Sequence, residues 1–151
     1  MTRLAIASDH GAFTLKSDLI RHLTVRGIDV LDLGTTSETE SVDYPDFADK
    51  VVAAIKTGQA DIGILCCGTG IGISIRANRY PGIRAAVLHD AFTAEMAKAH
   101  NNANIICLGG RTVPSSQTAA AWVDCWLDTT FEGGRHQRRL DKLDAPLSIQ
   151  S

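Results

Sequence analysis

The chain has 151 residues, 44% of them hydrophobic and 21% charged, enough to bury a core without disulfide or metal staples. Its formal charge is −2 with histidine neutral, which excludes a basic footprint for nucleic acid or an anionic membrane. No apolar run approaches the ~20 residues that span a bilayer. The opening apolar run, residues 4–7, meets Ser8-Asp9-His10 at once and is too short for the core of a signal peptide. Cys66, Cys67, Cys107 and Cys125 lack zinc-site spacing. Most of them lie in or beside apolar runs, where a free buried thiol is the default. The expectation is a cytoplasmic protein with reduced thiols.

Short apolar runs alternate with segments of helical period. Residues 4–7 predict a buried strand. Residues 11–26 predict a helix with Leu15, Leu19 and Leu23 on one face and Gly27 as its stop. Residues 29–33 predict a second strand. The polar stretch 34–45 is long for a loop in a compact domain, which marks it as a functional candidate. Asp46 is expected to cap a helix through Lys56, closed by Gly58. Residues 61–66 predict a third strand, and Gly68-Thr69-Gly70-Ile71-Gly72 opens a short helix ending near Asn78. Residues 83–88 and 103–108 predict strands four and five, with a helix over 90–98 between them. Ser115 or Ser116 caps a helix through Leu127, and from Phe131 the tail turns polar and basic. No repeat or linker interrupts the chain, which reads as one domain over 1–151. Five apolar strands alternating with helices specify an α/β fold, an open doubly wound sheet of five parallel strands covered on both faces.

Ligands of such sheets sit beyond the carboxyl ends of the strands. That edge is expected to gather Ser8-Asp9-His10-Gly11, Cys67-Gly68-Thr69-Gly70, His89-Asp90 and Gly109-Gly110-Arg111. The glycine-rich loop turns tightly and presents N–H groups at a helix N-terminus, which favours a phosphate or a reacting oxyanion. Its spacing matches neither the dinucleotide fingerprint nor a Walker loop. Cys67 stands at the junction of strand and loop, where a thiolate is favoured and can act as nucleophile or base; an inert buried thiol is the bland alternative. Cys66 points to the opposite side of the strand and reads as core. His100, at the end of the fourth helix, is either a polar helix terminus or a general acid/base aimed at the cleft. Arg111, Arg135, Arg138 and Arg139, with His136, form a basic group. Arg135 and Arg139 share a face if the tail is helical, which suits either bidentate phosphate recognition or a solvated surface.

Together these motifs, with Asp43-Tyr44-Pro45, Ile73-Ser74, Ala77-Asn78, Gly82-Ile83-Arg84-Ala85, His100-Asn101 and Gly133-Gly134-Arg135-His136, resemble the family of type B ribose-5-phosphate isomerases, which also holds galactose-6-phosphate isomerase subunits. The resemblance runs from residue 3 to about residue 140. It implies a Rossmann-like sheet with a helical tail, and a homodimer or dimer of dimers whose sites are completed by the partner chain, the tail from about 131 contacting that partner. It implies interconversion of ribose 5-phosphate and ribulose 5-phosphate through a cis-enediolate, with no metal and no organic cofactor. By position, Cys67 matches the base that moves the proton between C1 and C2, and His100 the group that opens the ring. Asp9, His10, Tyr44, Gly68, Thr69, Gly70, Ile71, Gly72, Ser74 and Asn101 match substrate contacts. Arg111, Arg135 and Arg139, with His10, match a phosphate clamp. Some members carry a glutamate base where this chain has Ile73, which cannot take a proton, so the thiolate version is the consistent one.

Competing readings are an isomerase of another aldose phosphate (allose 6-phosphate, galactose 6-phosphate or erythrose 4-phosphate) and a non-catalytic phosphate- or nucleotide-binding module. The module reading leaves Cys67 and His100 idle. A redox role for Cys66-Cys67 requires a strained disulfide between neighbours.

Overall fold

The computed structural model describes residues 1–149. Strands β1 (Arg3–Ser8), β2 (Asp29–Asp32), β3 (Ile62–Cys67), β4 (Ala85–Val87) and β5 (Ile105–Gly109) form one sheet in the order β2-β1-β3-β5-β4. Every neighbouring pair is parallel. Helices α1 (Phe13–Val25), α2 (Tyr44–Lys56), α3 (Ile71–Ala77), α4 (Ala91–Ala99) and α5 (Ser116–Asp128) supply the crossovers and flanks, and α6 (Arg135–Asp144) forms the tail.

Successive strand residues point to opposite faces, and both faces here are apolar. Leu4, Ile6, Ile64, Cys66, Ile106 and Leu108 pack toward α1, α4 and α5, against Leu19, Ala94 and Trp126. Ala5, Ala7, Leu65, Cys67, Ile105 and Cys107 pack toward α2 and α3, against Phe47, Val51 and Ile73. Burial of each large aliphatic side chain stabilises the fold by about 1.5–3 kcal/mol. Trp126 is fully buried, and its indole N–H donates to the Ala103 carbonyl at 3.1 Å, so its one polar atom is satisfied inside the core.

Element boundaries differ from expectation where a local partner competes. Helix α2 starts at Tyr44 behind Asp43, with Pro45 in its first turn, so Asp46 lies inside the helix rather than capping it. Proline suits that first turn because its missing N–H would be unpaired there in any case. Strand β3 extends to include Cys67. Strand β4 is a short edge strand, since the Arg84 N–H is taken by the Asn104 side chain at 2.8 Å. Ser115, not Ser116, caps α5 by accepting the Thr118 N–H at 3.0 Å. Among the described residues no helix is long and apolar enough to cross a membrane.

The topology fixes where a ligand can sit. The chain leaves β1 toward β2 on one side and leaves β3 toward β4 on the other. Divergent crossovers open a crevice between the carboxyl ends of β1 and β3. The tail lies elsewhere. The Glu132 N–H donates to the Ala99 carbonyl at 3.0 Å, and Arg84 pairs with Asp144 at 2.6 Å. Those contacts hold α6 against the amino-terminal edge of the sheet.

Candidate active site

The crevice at β1 and β3 is built largely from backbone. Ser8 aligns with Cys66, and Cys67 with Gly109, so Asp9 and the glycine loop emerge side by side. Gly70 has φ +77°, the left-handed conformation that turns the loop into α3. The turn sends its N–H back onto the Cys67 Sγ at 3.2 Å. That contact aims a backbone donor at the sulfur where β3 turns into α3. Cys67 is only 4% exposed. Its neighbours are inert: burial pushes both the Cys66 and the Cys107 thiols well above the usual thiol range.

Around this sulfur the structure gathers most of the expected contacts. The Asp9 Oδ1 and the Ser8 Oγ are buried with no hydrogen-bond partner among the described residues. Such orphaned acceptors are costly unless a ligand meets them. The His10 Nδ1 accepts the Val42 N–H at 3.1 Å, so a neutral ring carries its proton on Nε2 and offers a donor. Val42 belongs to the long polar loop, which thereby earns its place at the site. The Arg111 guanidinium lies over Gly68, 3.5 Å from where a Cβ would stand, and the Tyr44 ring lies 2.6 Å from the Cβ position of Gly72. At Gly72 only glycine allows the Tyr44 ring so close. Thr69 and Ile71 are exposed on the loop. The Ser74 hydroxyl donates to the Ile71 carbonyl at 2.6 Å, which leaves it acceptor capacity only. Ile73 is fully buried, so that position presents no acid.

His100, Asn101, Arg135 and Arg139 are not there. His100 is the C-cap of α4, and Asn104, just beyond it, accepts the Gly63 N–H at the start of β3 at 2.8 Å. Gly63 and Cys67 lie at opposite ends of the strand, roughly 13 Å apart at about 3.3 Å per residue. Within one chain, therefore, His100 does not face the cleft of Cys67; a helix end that precedes a parallel strand must lie at the strand's other edge. His100, Asn101 and Arg139 instead line a cavity of their own with His136, Leu140 and Leu143. Arg135, one turn back on the exposed face of α6, is separated from Arg111 in the same way. The expected clamp is thus divided, His10 and Arg111 at one edge, Arg135 and Arg139 at the other. His89 and Asp90 do lie at the carboxyl edge, but Asp90 is the N-cap of α4 in a reciprocal pair with Thr93. The Thr93 N–H holds its carboxyl below the usual carboxylate range.

Two side chains meet His100: His136, expected only as part of the basic group, and Glu132, which the sequence did not single out. The His136 ring stacks on His100 with centroids 4.1 Å apart and planes 15° apart. Glu132 reaches the His100 Nε2 at 3.5 Å and the His136 Nε2 at 3.7 Å. The three residues bring donor atoms within 4.8 Å of one another. Two nearly parallel rings, however, aim their lone pairs alongside each other instead of at one point, so the cluster suits proton sharing rather than a metal ion.

The chain matches the model of the ribose/galactose isomerase family over residues 4–143. It is 43% identical over 145 residues to ribose-5-phosphate isomerase B of Escherichia coli, covering 96% of each chain. The chain belongs to the ribose/galactose isomerase family. Among solved members, a Thermotoga maritima ribose 5-phosphate isomerase superposes with a TM-score of 0.91 at 54% identity, covering 95% of this chain and 97% of that one. The Mycoplasma genitalium ribose-5-phosphate isomerase B, solved with bound ribulose-5-phosphate, gives a TM-score of 0.88 at 43% identity over 93% of each chain. The family assignment and the Rossmann-like doubly wound sheet with its carboxy-terminal helix agree with the resemblance read from the motifs.

Proposed function

We propose that the chain interconverts D-ribose 5-phosphate and D-ribulose 5-phosphate, with each site assembled from two copies in a homodimer or dimer of dimers. The observation that carries this reading is the Cys67 sulfur, held by the Gly70 N–H at the strand end next to Asp9, whose Oδ1 is buried without a partner among the described residues. The activity named for the relatives supports it. In the assembly, the loop half of one copy faces the tail half of another, which unites Cys67 with His100, and His10 and Arg111 with Arg135 and Arg139.

The chemistry follows as proton transfers. His100 gives a proton to the ring oxygen and the C1 hydroxyl loses one, so the C1–O bond of the ring breaks and an aldehyde forms. The Cys67 thiolate takes the hydrogen from C2. The electron pair becomes the C1–C2 double bond, and negative charge develops on O1. Loop N–H groups hold that oxyanion, an interaction whose loss typically costs ~3–4 kcal/mol of transition-state stabilisation. The thiol returns the proton to C1 while the O2 proton passes to O1, giving the ketose. Asp9, buried and acceptor-rich, holds sugar hydroxyls. The arginines and His10 grip the phosphate, whose remote binding energy fixes the carbon chain. Each step uses this chain's own groups and calls on no metal or organic cofactor.

One panel tests the reading: purified protein against four-, five- and six-carbon aldose phosphates, with and without chelator. Ketose should form from ribose 5-phosphate, unchanged by chelator. Absence of turnover on that sugar, or turnover only on a six-carbon phosphate, overturns it.

A further inference from the structure

We propose that Glu132 and His136 are positioning residues for His100: the His136 ring fixes the plane of the His100 ring by stacking, and Glu132 fixes which of its nitrogens carries the proton. This inference rests on the ring-opening role assigned above to His100.

The contrast in burial is the first support. His136 is 6% exposed, locked in the first turn of α6 with its N–H donating to the Gly133 carbonyl at 3.0 Å. The His100 side chain is 37% exposed. A buried ring thus lies under a half-exposed one. Stacking on a buried platform removes the rotations of χ2 that would scatter a half-exposed imidazole. The carboxylate is the second support. Glu132 is anchored through its own backbone N–H to Ala99, the residue before His100, so its oxygens track the imidazole they orient. A carboxylate near Nε2 favours the proton on that nitrogen, as second-shell carboxylates do for other imidazoles.

The electrostatics agree. Facing His100 are Glu132 from the segment before α6, and His136 and Arg139 from α6. Burial first, then the charges of His100 and Arg135, hold His136 below the usual imidazole range. Two stacked imidazolium ions would repel. Exposure picks out the same ring: His136 is buried, and half-exposed His100 is the one that can meet a sugar.

Ribulose 5-phosphate separates the roles. Its only hydroxyl able to close a five-membered ring carries the phosphate, so it is always open-chain. Exchange of its C1 hydrogen with solvent deuterium needs the Cys67 step and no ring opening. Three variants are compared with wild type: Glu132→Gln, His136→Asn and His136→Phe. For Glu132→Gln and His136→Asn, kcat on ribose 5-phosphate should fall about ten-fold or more, with KM nearly unchanged and C1 exchange retained. The acidic limb of the Glu132→Gln rate–pH profile should move to lower pH, since the imidazolium loses its counter-charge. His136→Phe keeps a flat ring in the stack and should recover most of the kcat lost in His136→Asn. Equal loss of exchange and turnover, with altered assembly on a sizing column, would mean a merely structural role and overturns the inference. So would unchanged kcat in Glu132→Gln and His136→Asn. A wild type that neither isomerises nor exchanges defeats the isomerase reading itself, a result distinct from either.

Discussion

The two halves of the candidate site are made of different materials. At the carboxyl edge, β1 and β3 deliver Asp9, His10 and Cys67 within a few residues of strand ends, and the glycine turn is shaped by backbone. Its groups are mostly buried, and two polar atoms there lack partners among the described residues. At the amino edge, His100, Arg135 and Arg139 project from helix ends, more exposed and held by side-chain stacking and charge. In the proposed assembly the first half does one reaction step at a fixed point, and the second reaches toward another copy. On that proposal neither half alone holds the base, the ring-opening acid and the full phosphate clamp.

The sharpest break between the halves comes from disabling each in turn. Cys67→Ala should lower kcat by about 10³-fold or more, and with it C1 exchange in ribulose 5-phosphate. His100→Asn should lower turnover of ribose 5-phosphate by roughly 10²–10³-fold yet leave that exchange near wild type. Mixing the two inactive variants then tests the shared site. If subunits exchange freely, half of the dimers are mixed and each has one intact site of two, so about a quarter of wild-type activity should return. Activity that never returns after unfolding and refolding the mixture together would place both groups in one chain's site, against the strand geometry.

This division also explains what the sequence revealed and what it withheld. Alternation of apolar runs with helical period marked all five strands, because a sheet buried on both faces leaves nearly continuous hydrophobic stretches. The residues after β1, β3 and β5 were legible for the same reason: topology puts strand ends on one edge whatever the side chains do. Cys67 could be separated from Cys66 by the period-two alternation of the strand. His100 was harder. Its type suggested acid/base work, but its position before β5 places it at the far edge, and only an assembly argument reunites it with Cys67. Glu132 and Val42 were missed because their contacts depend on how loops fold back, 32 residues from His10 in the case of Val42. No local pattern encodes such a return.

A smaller effect probes the reaching half. Arg135 is exposed on α6 and is expected to touch only the phosphate, so Arg135→Ala should raise KM for ribose 5-phosphate by about ten-fold, the usual worth of a charge-assisted contact. Its kcat should stay within a few-fold, and exchange of bound ribulose 5-phosphate at saturation should be unaffected. An unchanged KM removes Arg135 from the clamp and leaves Arg139 to supply the charge from that half.

The smallest effect concerns stability and separates the halves by pH. His136 is held below the ordinary imidazole value of 6.5, chiefly by burial. The unfolded chain therefore binds a proton at higher pH than the folded chain does. Stability rises with pH wherever the unfolded state holds more protons, so this residue's contribution is complete above about 6.5 and is lost as pH falls through that value toward the depressed folded one. Denaturant midpoints measured from pH 8 to pH 5 should decline across that window, and His136→Phe should flatten the decline. Substitutions at the carboxyl edge such as Cys67→Ala should leave the slope intact, since the proton concerned is taken up at the other end of the sheet. A slope unchanged by His136→Phe would assign the acid sensitivity to another group and remove His136 from the account.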